Sequence, residues 1–174
     1  NLMRLYEIHE SQNSIYLILE LLEGGELLDY ISKMKGKIKL VEYKHIIRSI
    51  LRALKYMSGK NIMHRDLKPE NMILKIKGGP IEQNVLKIVD FGLATNCDLQ
   101  EYLFKRCGTP GFVAPEVVNA SSEDNIHYSP KCDIFSAGVI FYLMYPCVTA
   151  DFQERVHSLV RPLRLFCSTT RSAK

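Results

Sequence analysis

The chain has 174 residues, 47% hydrophobic and 24% charged, with no tryptophan; this is enough apolar material for one core and excludes a disordered or low-complexity chain. The formal net charge of +4 comes from 23 basic and 19 acidic residues spread along the sequence, which argues against a nucleic-acid-binding surface. Cys97, Cys107, Cys132, Cys147 and Cys167 lack C-x-x-C spacing, as suits reduced thiols of the cytoplasm or nucleus better than disulfides or zinc sites.

In chain order, Leu2 to Ile8 and Ser14 to Leu22 read as two strands of a hairpin joined across His9 to Asn13. The second, rich in β-branched and aromatic residues, is expected to be buried. Leu27, Leu28, Ile31 and Met34 then share the face of a short helix that fades at Gly36. A longer helix is predicted from about Val41 to Ser58. Its apolar face is Ile46, Ile47, Ile50, Leu51, Leu54 and Met57, with Gly59 at the C-terminal cap. Met72 to Ile76 and Leu86 to Val89 read as short strands around a turn containing Gly78-Gly79-Pro80.

After a loop region from Thr95 to Asp124, Ser129-Pro130 has the form of an N-cap with proline at the first helical position. The helix it opens is predicted to end at Tyr145, before Pro146. Being apolar nearly all round, it is expected at the centre of a core. Its apolar run, 134–145, is too short to span a bilayer. No signal peptide or internal repeat is visible, so neither secretion nor a membrane partner is expected.

Three motifs carry chemistry. His64-Arg65-Asp66-Leu67-Lys68-Pro69-Glu70-Asn71, Asp90-Phe91-Gly92 and Ala114-Pro115-Glu116 occur in this order, and their spacing matches a catalytic loop, a metal-binding loop and the end of an activation segment. Alone, Asp66 and Asn71 would pass for a turn-capping pair. The downstream motifs favour phosphoryl transfer, a reaction that needs an aligned hydroxyl, metal-bridged phosphates and positive charge near the transferring group.

On these motifs, residues Leu2 to about Tyr145 resemble the interior of a eukaryotic-type protein kinase. Lys68 and Gly108-Thr109-Pro110-Gly111 are similar to the serine/threonine branch, and Glu23-Gly24-Gly25-Glu26-Leu27 to the calcium/calmodulin-dependent group. The resemblance implies an α+β, protein-kinase-like fold that is incomplete: the end of an N-lobe sheet, a hinge, and the first half of a mainly helical C-lobe. Residues 1–145 would form the partial kinase domain (1–19 the N-lobe remnant, 20–26 the hinge, 27–145 the C-lobe core), and 146–174 a divergent tail of unknown role.

The same resemblance implies ATP and Mg²⁺ as cofactors. Asp66 would orient the substrate hydroxyl and accept its proton, Lys68 would steady the γ-phosphate, and Asn71 and Asp90 would bind the metal. Thr109 would hydrogen-bond Asp66 and Lys68. Leu19 would be the gatekeeper, the backbone of Glu20 and Leu22 would meet adenine, and Ile73 would floor the ring; a core strand without a ligand explains Leu19 and Ile73 equally well. Glu26 and Glu70 match acidic positions that meet ribose or basic side chains, which suits Arg-containing peptide substrates. A solvated face explains them too.

Also by resemblance, His64 packs beneath Phe91 and bonds backbone near Asp133, Leu5 and Phe91 continue that column, and Glu116 pairs with an Arg on a later helix. Arg65 beside Asp66 implies an activation-loop phosphate as partner. Lys105 stands where the phosphothreonine is expected, leaving Thr95 and Tyr102 as poorly matching acceptors. No Gly-rich phosphate loop or strand lysine precedes the motifs, so this polypeptide by itself is expected to transfer little phosphate. Two other readings remain: a non-catalytic, pseudokinase-like binding or inhibitory module, and an ATP-binding fold with a small-molecule acceptor. The peptide-platform motifs at Gly108 and Ala114 argue against the last.

Overall fold

A computed structural model describes residues 1–34, 37–99, 106–119 and 129–145. The expectations placed on Gly36, Tyr102, Lys105, Pro146 and the 146–174 tail lie outside the described residues.

The first two strands, β1 (Leu5–Glu10) and β2 (Ile15–Leu19), form an antiparallel hairpin. The first starts later than its apolar pattern suggests and takes in His9 and Glu10, because Ser11 N–H closes the turn on Ser14 C=O. Residues 1–3 continue beyond the hairpin and run beside a later strand. Expected burial of the second strand is not found: every residue of both strands is exposed. Its composition is that of a covered strand, but among the described residues no layer packs on it.

Helix α1 (Leu27–Lys33) buries Leu27 fully and half-buries Tyr30 and Ile31, while Leu28 turns outward. The longest helix, α2 (Leu40–Ser58), begins with Glu42 reaching back to accept the Lys39 N–H at 2.7 Å, which satisfies one orphan donor of the first turn. Tyr43, Ile46, Ile50, Ala53, Leu54 and Met57 are buried at helical spacing, whereas Ile47 is half-buried and Leu51 exposed. Gly59 follows with right-handed φ. The reversal falls at Asn61, whose φ of 54° is left-handed.

Strand β3 (Ile62–Met63) then leads into the motif-bearing loop, whose Pro69–Asn71 is a 3₁₀ turn. Strands β4 (Met72–Leu74) and β5 (Leu86–Ile88) pair antiparallel with Met72 opposite Ile88. They end earlier than expected because the Asn84 side chain brackets Ile76 through two bonds of 3.1 and 2.7 Å, supplying in place of a strand both partners of its backbone. Strand β6 (Thr95–Asn96) pairs with β3, α3 (Pro115–Val118) carries the third motif, and α4 (Lys131–Met144) closes the described core.

Only one face of α4 is buried, at Cys132, Asp133, Ser136, Ala137, Ile140 and Met144. Its expected central placement is therefore corrected. Ile134, Phe135, Tyr142 and Leu143 are exposed because, within the described residues, α2, the loop after β3 and the segment from Phe112 to Val117 all pack on the opposite face of the helix. Among the described residues, no helix is long and apolar enough to cross a membrane.

Candidate active site

The loop after β3 is held from below by α4. Asp133, in the first turn of that helix, accepts the backbone N–H of His64 at 2.7 Å and of Arg65 at 2.9 Å. Both donors are buried, so they need an acceptor, and the Asp133 carboxyl supplies one oxygen to each; burial raises its pKa, against the two N–H bonds, which lower it. Arg65 takes φ 68°, a left-handed conformation that costs a side-chain-bearing residue on the order of 1–3 kcal/mol unless its surroundings fix it. Its Nε donates to Leu93 C=O at 2.7 Å, tying the loop to the segment after Asp90-Phe91-Gly92.

His64 is fully buried. Its Nε2 lies 2.9 Å from Val89 C=O and its Nδ1 accepts Asp66 N–H at 3.3 Å, so the bonds assign the proton to Nε2. Its ring meets Phe91 edge to face with centroids 5.0 Å apart. Thus the packing with Phe91 is found, while the backbone group that the ring bonds is Val89 C=O, and it is the His64 N–H that meets Asp133. Leu5 sits on the exposed hairpin and does not extend a buried column.

Asp66 is where the motifs converge. Its Oδ1 accepts the Thr109 hydroxyl at 2.6 Å, and its Oδ2 accepts Lys68 Nζ at 2.9 Å and Asn71 Nδ2 at 3.1 Å. Lys68 Nζ also donates to Thr109 Oγ1 at 2.8 Å, and Asn71 Nδ2 to Asp66 C=O at 2.9 Å. Burial raises the carboxyl pKa, yet the bonds from Thr109, Lys68 and Asn71 outweigh it and hold Asp66 below its ordinary 3.8. The site therefore keeps an ionised carboxylate beside an ammonium.

Thr109 reaches this network because Gly108, at φ 109°, packs against the loop. A Cβ there would lie 2.7 Å from Arg65 C=O and 2.9 Å from Val113 Cγ2.

Asp90 follows β5 with φ 60° and is exposed, its Oδ1 accepting Gly92 N–H at 3.2 Å. Val89 N–H donates to Asn71 C=O at 3.0 Å, which brings the chain at Asn71 alongside that at Asp90. Neither Asn71 Oδ1 nor Asp90 Oδ2 has a hydrogen-bond partner among the described residues. Two neutral or anionic oxygen donors and an open side fit Mg²⁺, which keeps waters and substrate phosphates as its remaining ligands. Among the described residues there is no cluster of three His, Cys, Asp or Glu that would suit a softer ion.

The remaining candidates line the approach from the hairpin. Glu20 is buried and its N–H donates to Arg4 C=O, while Leu19 is exposed and Leu22 half-buried. Glu23 and Gly24 donate to Lys75 and Leu74 carbonyls, and Glu26 bridges to half-buried Ile73. This lays residues 23–26 along β4. Glu26 is exposed, and Glu70 has a buried Oε2 without a hydrogen-bond partner among the described residues. Glu116 is exposed.

Sequence reasoning missed two polar contacts. One is the second arm of the Asp133 clamp, the bond from Arg65 N–H, since the resemblance placed only His64 near Asp133. The other is an ion pair between Glu20 and Lys87 at 2.7 Å, for which the lone charge in Leu86-Lys87-Ile88 was the available sign.

The family model for the protein kinase domain matches residues 1–166. The chain is 39% identical over 144 residues to calcium-dependent protein kinase 4 of Plasmodium berghei, covering 83% of this chain and 26% of that protein. It is 39% identical over 144 residues to myosin light chain kinase A of Dictyostelium discoideum (83% and 46%). To the SNF1-related protein kinase catalytic subunit alpha KIN12 of Arabidopsis thaliana it is 38% identical over 154 residues (88% and 28%). The chain spans about a quarter of the length of the first of these relatives. The chain belongs to the protein kinase family.

Proposed function

We propose that the protein of which these residues form the catalytic core is a serine/threonine protein kinase that transfers the γ-phosphate of ATP to protein substrates. The observation that carries the reading is the single network in which Asp66 is bonded by Thr109, Lys68 and Asn71, with Asp90 reached through the Val89–Asn71 backbone bond. In the reaction, the acceptor oxygen bonds to the γ-phosphorus, the bond to the bridging oxygen breaks, and ADP departs. Asp66, ionised and fixed, accepts the hydroxyl proton, and Lys68 places positive charge near the transferring group. Asn71 and Asp90 would hold Mg²⁺, which neutralises phosphate charge when bound.

For the nucleotide, we assign Leu19 as gatekeeper, Glu20 and Leu22 backbone as partners of adenine, Ile73 as the floor and Glu26 as the ribose contact. We assign basic, Arg-containing peptides as substrates on the pair of acidic residues, exposed Glu26 and half-buried Glu70, because carboxylates take a guanidinium in bidentate contacts. We divide the chain into the kinase domain at 1–145 and a tail at 146–174. We place it in the cytoplasm or nucleus on its cysteine spacing.

The test is Mg-ATP-dependent phosphorylation of Ser/Thr in a basic peptide by the whole protein, beside its Asp66→Asn variant. Transfer by the parent and its loss in the variant with Mg-ATP affinity kept is the expected result; equal transfer by both would refute it.

A further inference from the structure

Continuing the hairpin register past Leu5 opposite Leu19 places Arg4 opposite Glu20. At such a hydrogen-bonded pair, two residues normally exchange both N–H···O=C bonds. Here only one is made. Glu20 N–H donates to Arg4 C=O at 3.0 Å, but Arg4 N–H goes to the Glu20 side chain, Oε1, at 2.7 Å. The Glu20 carbonyl accepts no hydrogen bond among the described residues.

The carboxylate is held in this position. Lys87 Nζ donates to the same Oε1 at 2.7 Å and to Leu2 C=O at 3.1 Å, and the Glu20 and Lys87 side chains are only 7% and 15% exposed. The residues around them are pinned as well: Met3 N–H donates to Ile88 C=O and Ile88 N–H to Asn1 C=O. Burial pushes the Glu20 carboxyl upward, but the bonds from Lys87 and Arg4 prevail and keep it ionised.

We infer that Glu20 and Lys87 together determine base specificity: the clamped carboxylate takes the ladder bond that would otherwise occupy the Glu20 carbonyl, and so leaves that carbonyl as an acceptor for the 6-amino group of adenine. This rests on the reading of residues 20–26 as the nucleotide hinge. A guanine, with a carbonyl oxygen at that position, meets acceptor against acceptor, and a purine without the amino group gains nothing. Glu20 and Lys87 act on the nucleotide through the carbonyl, so they are positioning residues.

Two double variants of the whole protein test it, both removing the buried charge pair as a unit. Glu20→Gln with Lys87→Met keeps an oxygen for Arg4 N–H; Glu20→Met with Lys87→Met does not. The probes are ATP and purine riboside triphosphate, which lacks the 6-amino group, titrated calorimetrically with Mg²⁺. The parent and the Gln variant are expected to favour ATP by about tenfold, as one well-made hydrogen bond allows. The Met variant should bind both nucleotides alike, at the level the parent shows for the des-amino analogue. Retention of the ATP preference by the Met variant, or an equal loss for both nucleotides, would overturn the inference.

A nucleotide-free measurement separates this from the kinase reading. The NMR coupling through the hydrogen bond from Arg4 nitrogen to the Glu20 backbone carbonyl carbon should be absent in the parent and present in the Met variant. A coupling already present in the parent overturns the inference whatever binds. The expected switch, in a protein that binds neither nucleotide, would uphold the intercepted bond while sinking the proposed function and, with it, the base specificity.

Discussion

The Thr109 hydroxyl donates to Asp66 Oδ1 at 2.6 Å, joining two residues 43 positions apart. The hydroxyl oxygen, Thr109 Oγ1, in turn accepts from Lys68 Nζ, so Thr109 relays between the acid and the ammonium. Thr109→Val keeps the shape and removes the relay. Hydrogen bonds to charged groups contribute about 1.5–3 kcal/mol, so kcat of the whole protein should fall by about 10- to 100-fold with little change in ATP KM. Thr109→Ser should recover most of the loss. A fall in ATP affinity of the same size as the fall in kcat would contradict this division.

The lowered pKa of Asp66 has a pH signature. A carboxyl more acidic folded than unfolded contributes stability that is complete above its ordinary value and is lost as pH falls through the lowered one. The Asp66→Asn variant has no such group. The contribution of Asp66 to Tm relative to that variant should be constant above about pH 5 and shrink on acidification below about pH 4. A contribution that grows toward acid would show that Asp66 is held above its ordinary value instead.

Gly108 and Gly111 both have positive φ, 109° and 91°, but only at Gly108 would a Cβ meet backbone. Gly111→Ala should therefore cost only conformational strain, about 1 kcal/mol. Gly108→Ala adds a collision with Arg65 C=O and should cost clearly more. Denaturant midpoints of the two variants compare them directly, and equal costs would mean that the segment yields freely.

Removing Asp133 orphans two buried N–H groups at once. Asp133→Ala should destabilise by about 3 kcal/mol or more, in the range for breaking buried charged contacts. Hydrogen exchange should show the amides of His64 and Arg65 losing protection first. Protection lost uniformly across α2 and α4 would assign Asp133 to general packing.

Much of this was legible because two kinds of signal were strong. The periodicity of 40–58 located α2, and the motif spacing brought Asp66, Lys68, Asn71 and Thr109 into one network. Apolar composition misled for β2 and α4. Composition reports what a strand or helix is suited to be covered by, while exposure depends on which elements pack against it, and that is a property of distant sequence. The Glu20–Lys87 pair was hidden for a related reason: the strand charge of Lys87 looks solvent-facing until a residue beyond the other hairpin supplies its partner.

The dependence of the His64–Arg65 turn on Asp133 also sets an order of events during synthesis. The two N–H groups emerge 69 and 68 residues before their acceptor. At about 5–20 residues per second, the wait is roughly 3–14 s on the ribosome. Within that interval α2, β4 and β5 emerge and can pair and pack, and Leu93 C=O becomes available to the Arg65 side chain, but the backbone N–H groups of His64 and Arg65 still lack the Asp133 carboxylate. The catalytic loop is thus among the last parts of this segment to be fixed, and a nascent chain stalled before α4 presents the motif without its geometry.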